Sequence, residues 1–237
     1  MSYGTLYGVG VGPGDPDLLT VKAVRIIGQV PIIAVPVATL DGDSYAHAIA
    51  AALLNPSQHV EKLHFPMLCD KQQRITKRRE AAQQVATHLK AGQDVAFLTE
   101  GDPLLHSTFG YLLEHLPSDI PIEIVPGITS MLGAAADYKQ SLVMGDERLA
   151  ILPATFEEIS ALSQILAAFD TVVLLKIHNV LDTVLSLLGD LQLLDQAVVV
   201  ERASHPEGRV FTDVTTLHGE QLHYLSLMII YSRRCSE

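Results

Sequence analysis

An α/β architecture in two domains is what this chain of 237 residues predicts. Apolar runs of strand length alternate with segments of helical apolar spacing, the pattern of sheets covered by helices. Those runs end repeatedly in turns of glycine, proline, aspartate or serine that hand over to a helix. A polar stretch carrying two prolines, Pro117-Ser118-Asp119-Ile120-Pro121, interrupts the middle of the chain and divides it into residues 1–120 and 121–237.

The elements follow in order. Thr5 to Val11 reads as a first strand. It runs into Gly12-Pro13-Gly14-Asp15-Pro16-Asp17 and a helix from Leu18 to Ile27, with Asp15 or Asp17 as its N-cap. Val30 to Pro36 is a second buried strand, Tyr45 to Leu54 a helix, and His59 to Phe65 an alternating third strand. Asp70 to Lys90 is a long helix whose Lys71, Arg74, Lys77, Arg78 and Arg79 read as a solvated face rather than an anion site. The fourth strand ends at Leu98, and Leu104 to Leu116 has helical spacing. Ile122 to Val125 is a short strand, followed by the turn Pro126-Gly127-Ile128-Thr129-Ser130 and a helix ending near Ala136. Thr129 or Ser130 can cap that helix or bind a ligand. The second half continues with strands at Leu149–Ala154, Thr171–Lys176, Ala197–Glu201 and Leu225–Tyr231, and helices at Glu157–Ala168 and Val180–Leu188.

The stretch Thr99-Glu100-Gly101-Asp102-Pro103-Leu104-Leu105-His106-Ser107-Thr108 stands out. A buried strand ends there in a Gly-Asp-Pro turn. Glycine permits unusual backbone angles or close approach of a ligand, aspartate bonds nearby backbone groups, and proline suits a first helical turn. In open α/β sheets ligands bind beyond the carboxyl ends of strands, where this turn lies. The glycines of the first turn invite a dinucleotide reading. From Gly8 or Gly10, however, the third glycine of G-x-G-x-x-G is replaced by Pro13 or Asp15. There is no G-K-[ST] P-loop signature either.

Composition narrows the function classes. Hydrophobic residues make up 48% and charged residues 18%, as in a packed globular protein. A net charge of −11 argues against nucleic acid as a partner. Cys69 and Cys235 offer neither a disulfide framework nor metal-ligand spacing and read as inert thiols of a reducing compartment. His47, His64, His178 and His205 lack metal-ligand spacing, so no metal is expected. No signal peptide and no membrane-spanning apolar run is evident, which predicts a cytoplasmic protein without a membrane partner.

Four segments together resemble the tetrapyrrole methylase family of S-adenosylmethionine-dependent enzymes. They are Gly8 to Pro16 with Leu18-Leu19-Thr20; Glu100 to Pro103; Val125 to Ser130; and Val200-Glu201-Arg202-Ala203. They occur in the family's order and spacing over essentially the whole chain. Gly101 to Phe109, Gly145 to Ala154, Lys176 and Glu201 to Glu207 are most similar to the branch that methylates precorrin-2, or its cobalt form, at C20. His106 stands where many relatives carry an aromatic residue.

The resemblance implies the tetrapyrrole methylase fold of two α/β domains with a ligand cleft between them. It also implies a tetrapyrrole trough in the N-terminal domain, a homodimer, and S-adenosylmethionine as co-substrate leaving as S-adenosylhomocysteine. Carried over by motif, the donor contacts are Pro13, Glu100, Gly101, Asp102, Leu105, Thr129, Ser130, Lys176 and Ala203. The turn glycines Gly10, Gly12 and Gly14 would line the trough, and Arg202 and Arg209 would meet substrate carboxylates. Arg148, Lys139 and Lys176 are further candidates for that charge, which an acidic protein must supply locally.

Methyl transfer to an electron-rich ring carbon needs neither a protein nucleophile nor a metal; it needs alignment and exclusion of water. A proton must leave afterwards, and Asp102, Glu100, His106 and Tyr7 are candidate bases, with ligand binding or turn capping the stronger reading of Asp102. The alternatives are a family member acting at another ring carbon, of the uroporphyrinogen III or precorrin-4 type, a diphthine synthase, or, from another class, a nucleotide-binding oxidoreductase or binding module.

Overall fold

The computed structural model describes residues 3–66, 68 and 70–232, without the side chains of 156–160; Cys69 and Cys235 lie outside the described residues. The chain divides into two compact units, Met1–Thr129 and Ser130–Glu237. The division falls nine residues after the one expected from the prolines. The reason is that strand Ile122–Val125 pairs with the first strand of the chain and so belongs to the first unit.

The first unit holds β1 (Leu6–Gly10), α1 (Val21–Gln29), β2 (Ile32–Val37), α2 (Tyr45–Ala50), β3 (His59–His64), α3 (Lys71–Lys90), β4 (Val95–Thr99), α4 (Phe109–Leu113) and β5 (Ile122–Val125). Its sheet has the order β3-β2-β4-β1-β5 and every pairing is parallel. Parallel strands covered on both faces read as continuous apolar runs, as Val95–Thr99 does with every residue buried. Leu19, Ala23, Ile26, Ile27 and Ile49 cover one face, and Ala81, Ala82, Val85, Leu89, Phe109 and Leu112 the other. Gly8 is required in β1 because a Cβ there would lie 2.5 Å from the Phe109 ring.

Two local expectations are corrected. Asp15 caps a 3-10 turn at Pro16–Leu18, while Thr20 caps α1 by accepting from the Ala23 N–H at 3.1 Å. The helix expected from Leu104 shrinks to Phe109–Leu113, since His106 takes a left-handed φ of 51° that no α-helix accommodates. The cations of α3 disperse as expected for a solvated face: Arg78 lies 3.4 Å over the Tyr111 ring and Lys77 pairs with Glu80 at 2.7 Å.

The second unit holds α5 (Ser130–Tyr138), β6 (Leu149–Pro153), α6 (Phe156–Ala168), β7 (Thr171–Leu175), α7 (Leu181–Asp190), β8 (Ala197–Glu201), β9 (Arg209–Phe211) and β10 (Ser226–Ile230). Its sheet has the order β6-β7-β10-β8-β9. Only β6 and β7 pair in parallel; β10 runs against both β7 and β8, and β9 against β8. This mixed sheet, and β9 within it, departs from the uniform strand–helix alternation of the sequence. Among the described residues no helix is long and apolar enough to cross a membrane.

Candidate active site

All strands of the first sheet end at one edge, so the turns after β1, β4 and β5, which are neighbours in it, meet there. The contact is backbone on backbone. The Val11 N–H donates to the Thr99 carbonyl at 2.9 Å, and the Gly101 N–H to the Gly12 carbonyl at 2.8 Å, closing an antiparallel bridge between the two turns. Gly12 and Gly101 hold φ of 80° and 62°, where side chains are strained. A Cβ on Gly127 would lie 2.0 Å from the Gly101 carbonyl oxygen, and one on Gly10 would lie 2.6 Å from the Gly127 nitrogen. Three turns thus share a core with no room for a methyl group.

Asp102 fastens the cluster. One carboxylate oxygen accepts from the Leu104 N–H at 2.8 Å, within its own turn, and the other from the Gly127 N–H at 3.0 Å, across to the turn after β5. With each oxygen engaged by the backbone, the structure favours the capping role of Asp102 over proton transfer. Thr99 adds a second brace: its hydroxyl lies 2.8 Å from that of Ser107, which accepts from the Phe109 N–H. Pro13 and Gly14 are buried in this edge, and Glu100 and Leu105 are half-buried beside Gly101. Thr129 immediately precedes α5, yet its buried hydroxyl caps nothing and finds no hydrogen-bond partner among the described residues. A buried hydroxyl without a partner is costly and points to a polar ligand atom.

Two of the candidate bases fare poorly. Tyr7 sits in the second position of β1, packed against the apolar layer of α1, about three residues or ~10 Å short of the strand's carboxyl end. His106 is solvent-exposed. Glu100 keeps its place at the edge.

The second unit brings its own residues to one edge. There β7 and β8, both antiparallel to β10, end beside the residues that lead into β10. Lys176 follows β7 with φ of 60° and is exposed. Arg202 and Ser204 take φ of 50° and 57° on either side of buried Ala203, and the Ser204 N–H donates to Asp137 at 2.6 Å. Glu201 is buried. Its carboxylate accepts from Arg209 at 2.8 and 3.0 Å and from the His223 N–H at 2.7 Å. Burial pushes Glu201 up, but the His223 N–H and the Arg209 guanidinium outweigh it and leave the carboxyl below its ordinary value. Burial lowers His223, and the positive charge of Arg202 lowers it further, against the opposing pull of Glu201.

The candidate cations therefore divide. Arg209 is committed to Glu201, and Arg148 pairs with Asp170 at 3.8 Å. Arg202 pairs with Glu207 through one terminal nitrogen, while its Nε is buried and unpartnered among the described residues, as is His178 Nδ1. Lys139 and Lys176 make no ion pair among the described residues. Sequence reasoning missed His223, which only the antiparallel course of β10 brings beside Glu201, and it read Gly127 as part of a turn without its contacts to two remote turns.

Comparison with known proteins identifies the family. The sequence pattern of the Tetrapyrrole (Corrin/Porphyrin) Methylases matches residues 5–218. The chain belongs to this family. It is 35% identical over 235 residues to a precorrin-2 C(20)-methyltransferase of a Sinorhizobium species, covering 96% of this chain and 95% of that protein. It is 32% identical to a cobalt-precorrin-2 C(20)-methyltransferase of Salmonella typhimurium, covering 96% of each. A cobalamin biosynthesis protein, CobIJ, of Mycobacterium bovis is 39% identical over 215 residues, and the chain spans 42% of its length. Among solved structures, uroporphyrin-III C-methyl transferase from Thermus thermophilus complexed with S-adenyl homocysteine superposes with a TM-score of 0.66 at 26% identity, covering 96% of this chain and 97% of that one. A cobalt precorrin-4 methyltransferase superposes at 0.70 with 22% identity over 95% and 94% of the two chains, which is likeness of fold.

Proposed function

We propose that this chain transfers a methyl group from S-adenosylmethionine to C20 of precorrin-2 or of its cobalt form, in cobalamin biosynthesis. The observation that carries the reading is the end-to-end similarity to two C20-methyltransferases, one named for each substrate form. The donor contacts on the first unit are Pro13, Glu100, Gly101, Asp102, Leu105 and Thr129; those on the second are Ser130, Lys176 and Ala203. The unpartnered Thr129 hydroxyl supports donor binding at this edge, because a ribose or carboxylate oxygen would satisfy it. Gly10, Gly12 and Gly14 line the tetrapyrrole's place, with Arg202 and Lys176 meeting its carboxylates. Arg209 acts through Glu201 instead of on the substrate. The enzyme works as a homodimer in the cytoplasm.

Bound S-adenosylmethionine would supply an electrophilic methyl group on a sulfonium sulfur. The chain's part is placement. Turns locked to one another by close backbone contact hold their carbonyls and N–H groups rigidly, and a rigid site converts binding into alignment of the reacting atoms. The new carbon–methyl bond forms as the sulfur–methyl bond breaks, and the ring then loses a proton. Glu100 is the carboxylate placed at the edge to receive it.

The test is incubation of the purified protein with donor carrying a ¹³C-methyl group and either metal-free or cobalt-bearing substrate. Label at C20, read by NMR, supports the proposal. Label at another ring carbon makes the protein a family member of different position, and absence of label in both substrates refutes the reading.

A further inference from the structure

His59, Glu61 and His88 gather at the other edge of the first sheet, where its strands begin. His59 and Glu61 are the first and third residues of the edge strand β3. Strand alternation puts them on the same face as Leu63, which packs in one core with Ala81, Ala82, Val85 and Leu89 of α3. Lys62 faces the other way, its ammonium donating to the Gly42 carbonyl at 2.9 Å. His88 lies in the last turns of α3 and reaches back to Glu61. Its Nε2 is 3.3 Å from Glu61 Oε2, and Nε2 of His59 is 3.2 Å from the same oxygen. The three atoms all lie within 4.8 Å of one another.

The remaining contact decides the meaning. His88 Nδ1 lies 3.0 Å from the carboxamide oxygen of Gln93, which can only accept. Nδ1 therefore carries the ring proton. In the neutral ring Nε2 is then a lone pair aimed at a carboxylate oxygen. Two acceptors held face to face repel unless a proton or a metal ion lies between them.

We infer that His59, Glu61 and His88 form a binding site for a divalent transition ion of the Zn²⁺ class. Bonds of about 2.0–2.1 Å to imidazole and carboxylate around a tetrahedral centre place neighbouring ligand atoms about 3.3 Å apart. The two histidine-to-Glu61 distances of 3.2 and 3.3 Å match that edge, and the two histidine nitrogens lie within 4.8 Å of each other, near enough to close on one ion. Two imidazoles and one carboxylate select a borderline first-row ion over calcium or magnesium, which take oxygen ligands. Gln93 supplies the outer hydrogen bond that fixes the tautomer and orientation of a metal-bound histidine. His59 is 59% exposed against 21% for the other two side chains, so the fourth position opens to solvent. The ion would fasten an edge strand to the end of α3, about a strand's length of ~15–20 Å from the turns of the candidate active site. In the sequence the ligands read only as H-x-E and a histidine 27 residues further on, a spacing no short motif reveals.

Full-length protein without a histidine tag, stripped with chelator, is titrated with Co²⁺ and then with Zn²⁺. One equivalent of Co²⁺ should develop the intense visible absorption of four- or five-coordinate cobalt, and Zn²⁺ should abolish it. His59→Ala, an exposed substitution, and His88→Gln should each remove this component. Gln93→Ala removes no ligand and should weaken binding about tenfold. Zn²⁺ should raise the melting temperature of the wild type and not of His59→Ala. S-adenosylhomocysteine binding should be equal in wild type and His59→Ala. A cobalt spectrum like that of the aqueous ion, or uptake unchanged in both histidine variants, would overturn the inference and leave the trio as a proton-sharing hydrogen-bond network.

Discussion

The two units finish their sheets with different materials. At the carboxyl edge of the first sheet the contacts are made by backbone: Gly10, Gly12, Gly101 and Gly127 let three turns touch, and Asp102 ties two of them. At the corresponding edge of the second sheet the contacts are made by charged and imidazole side chains: Glu201, Arg209, Arg202, His178 and His223. A backbone edge is rigid and tolerates no added atom. A side-chain edge can be retuned one charge at a time. In the proposed reading the first edge contributes fixed geometry and the second contributes charge that can meet a carboxylate.

That contrast is breakable. The largest effect is expected for Gly127→Ala, whose new methyl would stand 2.0 Å from the Gly101 carbonyl oxygen. Backbone must move, and the cost should reach at least about 3 kcal/mol with methyl transfer falling ~100-fold or more. Calorimetry and kcat/KM check both. Asp102→Asn comes next. Its amide group would face one of the N–H donors, costing about 1–3 kcal/mol and lowering kcat more than it raises KM. In the second unit the expected response is different in kind. Arg202→Gln should leave the melting temperature nearly unchanged and raise the KM for tetrapyrrole about tenfold, a loss of ~1.4 kcal/mol of binding.

The smallest effect concerns pH. His223 is held below its ordinary value of 6.5, so the folded state binds fewer protons than the unfolded one just below that pH. Its contribution is present above pH 6.5 and is lost as pH falls through the lowered value. Thermal melts should therefore show the wild type losing more stability than His223→Gln between pH 7.5 and 5.5. Glu201, held below its ordinary value of 4.5, adds a separate loss only below that pH.

Legibility in the sequence followed the range of the interactions. β8 appears where its apolar run places it, because burial of every residue writes a continuous apolar signal, and the half-exposed edge strand β5 appears from the turns that bound it. The turns at Gly12, Gly101 and Gly127 were legible as glycine and proline at strand ends. What they touch was not, because Gly127 meets Gly10 and Gly101 only after β5 pairs beside β1. The shortened α4 escaped notice since a histidine at φ 51° leaves no compositional mark. The same holds for β9 and for the reversed direction of β10: an antiparallel partner is a choice of topology, and the apolar run of Ser226–Ile230 looks the same in either direction. His59, Glu61 and His88 are the extreme case, since the second histidine stands near the far end of a helix of 20 residues.

The most direct measurement is calorimetric titration of S-adenosylhomocysteine into wild type and Thr129→Val. Valine matches threonine in shape and lacks the hydroxyl that is buried without a partner. A donor site at the carboxyl edge of the first sheet predicts saturable binding to the wild type, about tenfold weaker in the variant, with the melting temperature of the free protein unchanged or raised. Equal affinity in the two proteins, or no binding to either, would contradict it.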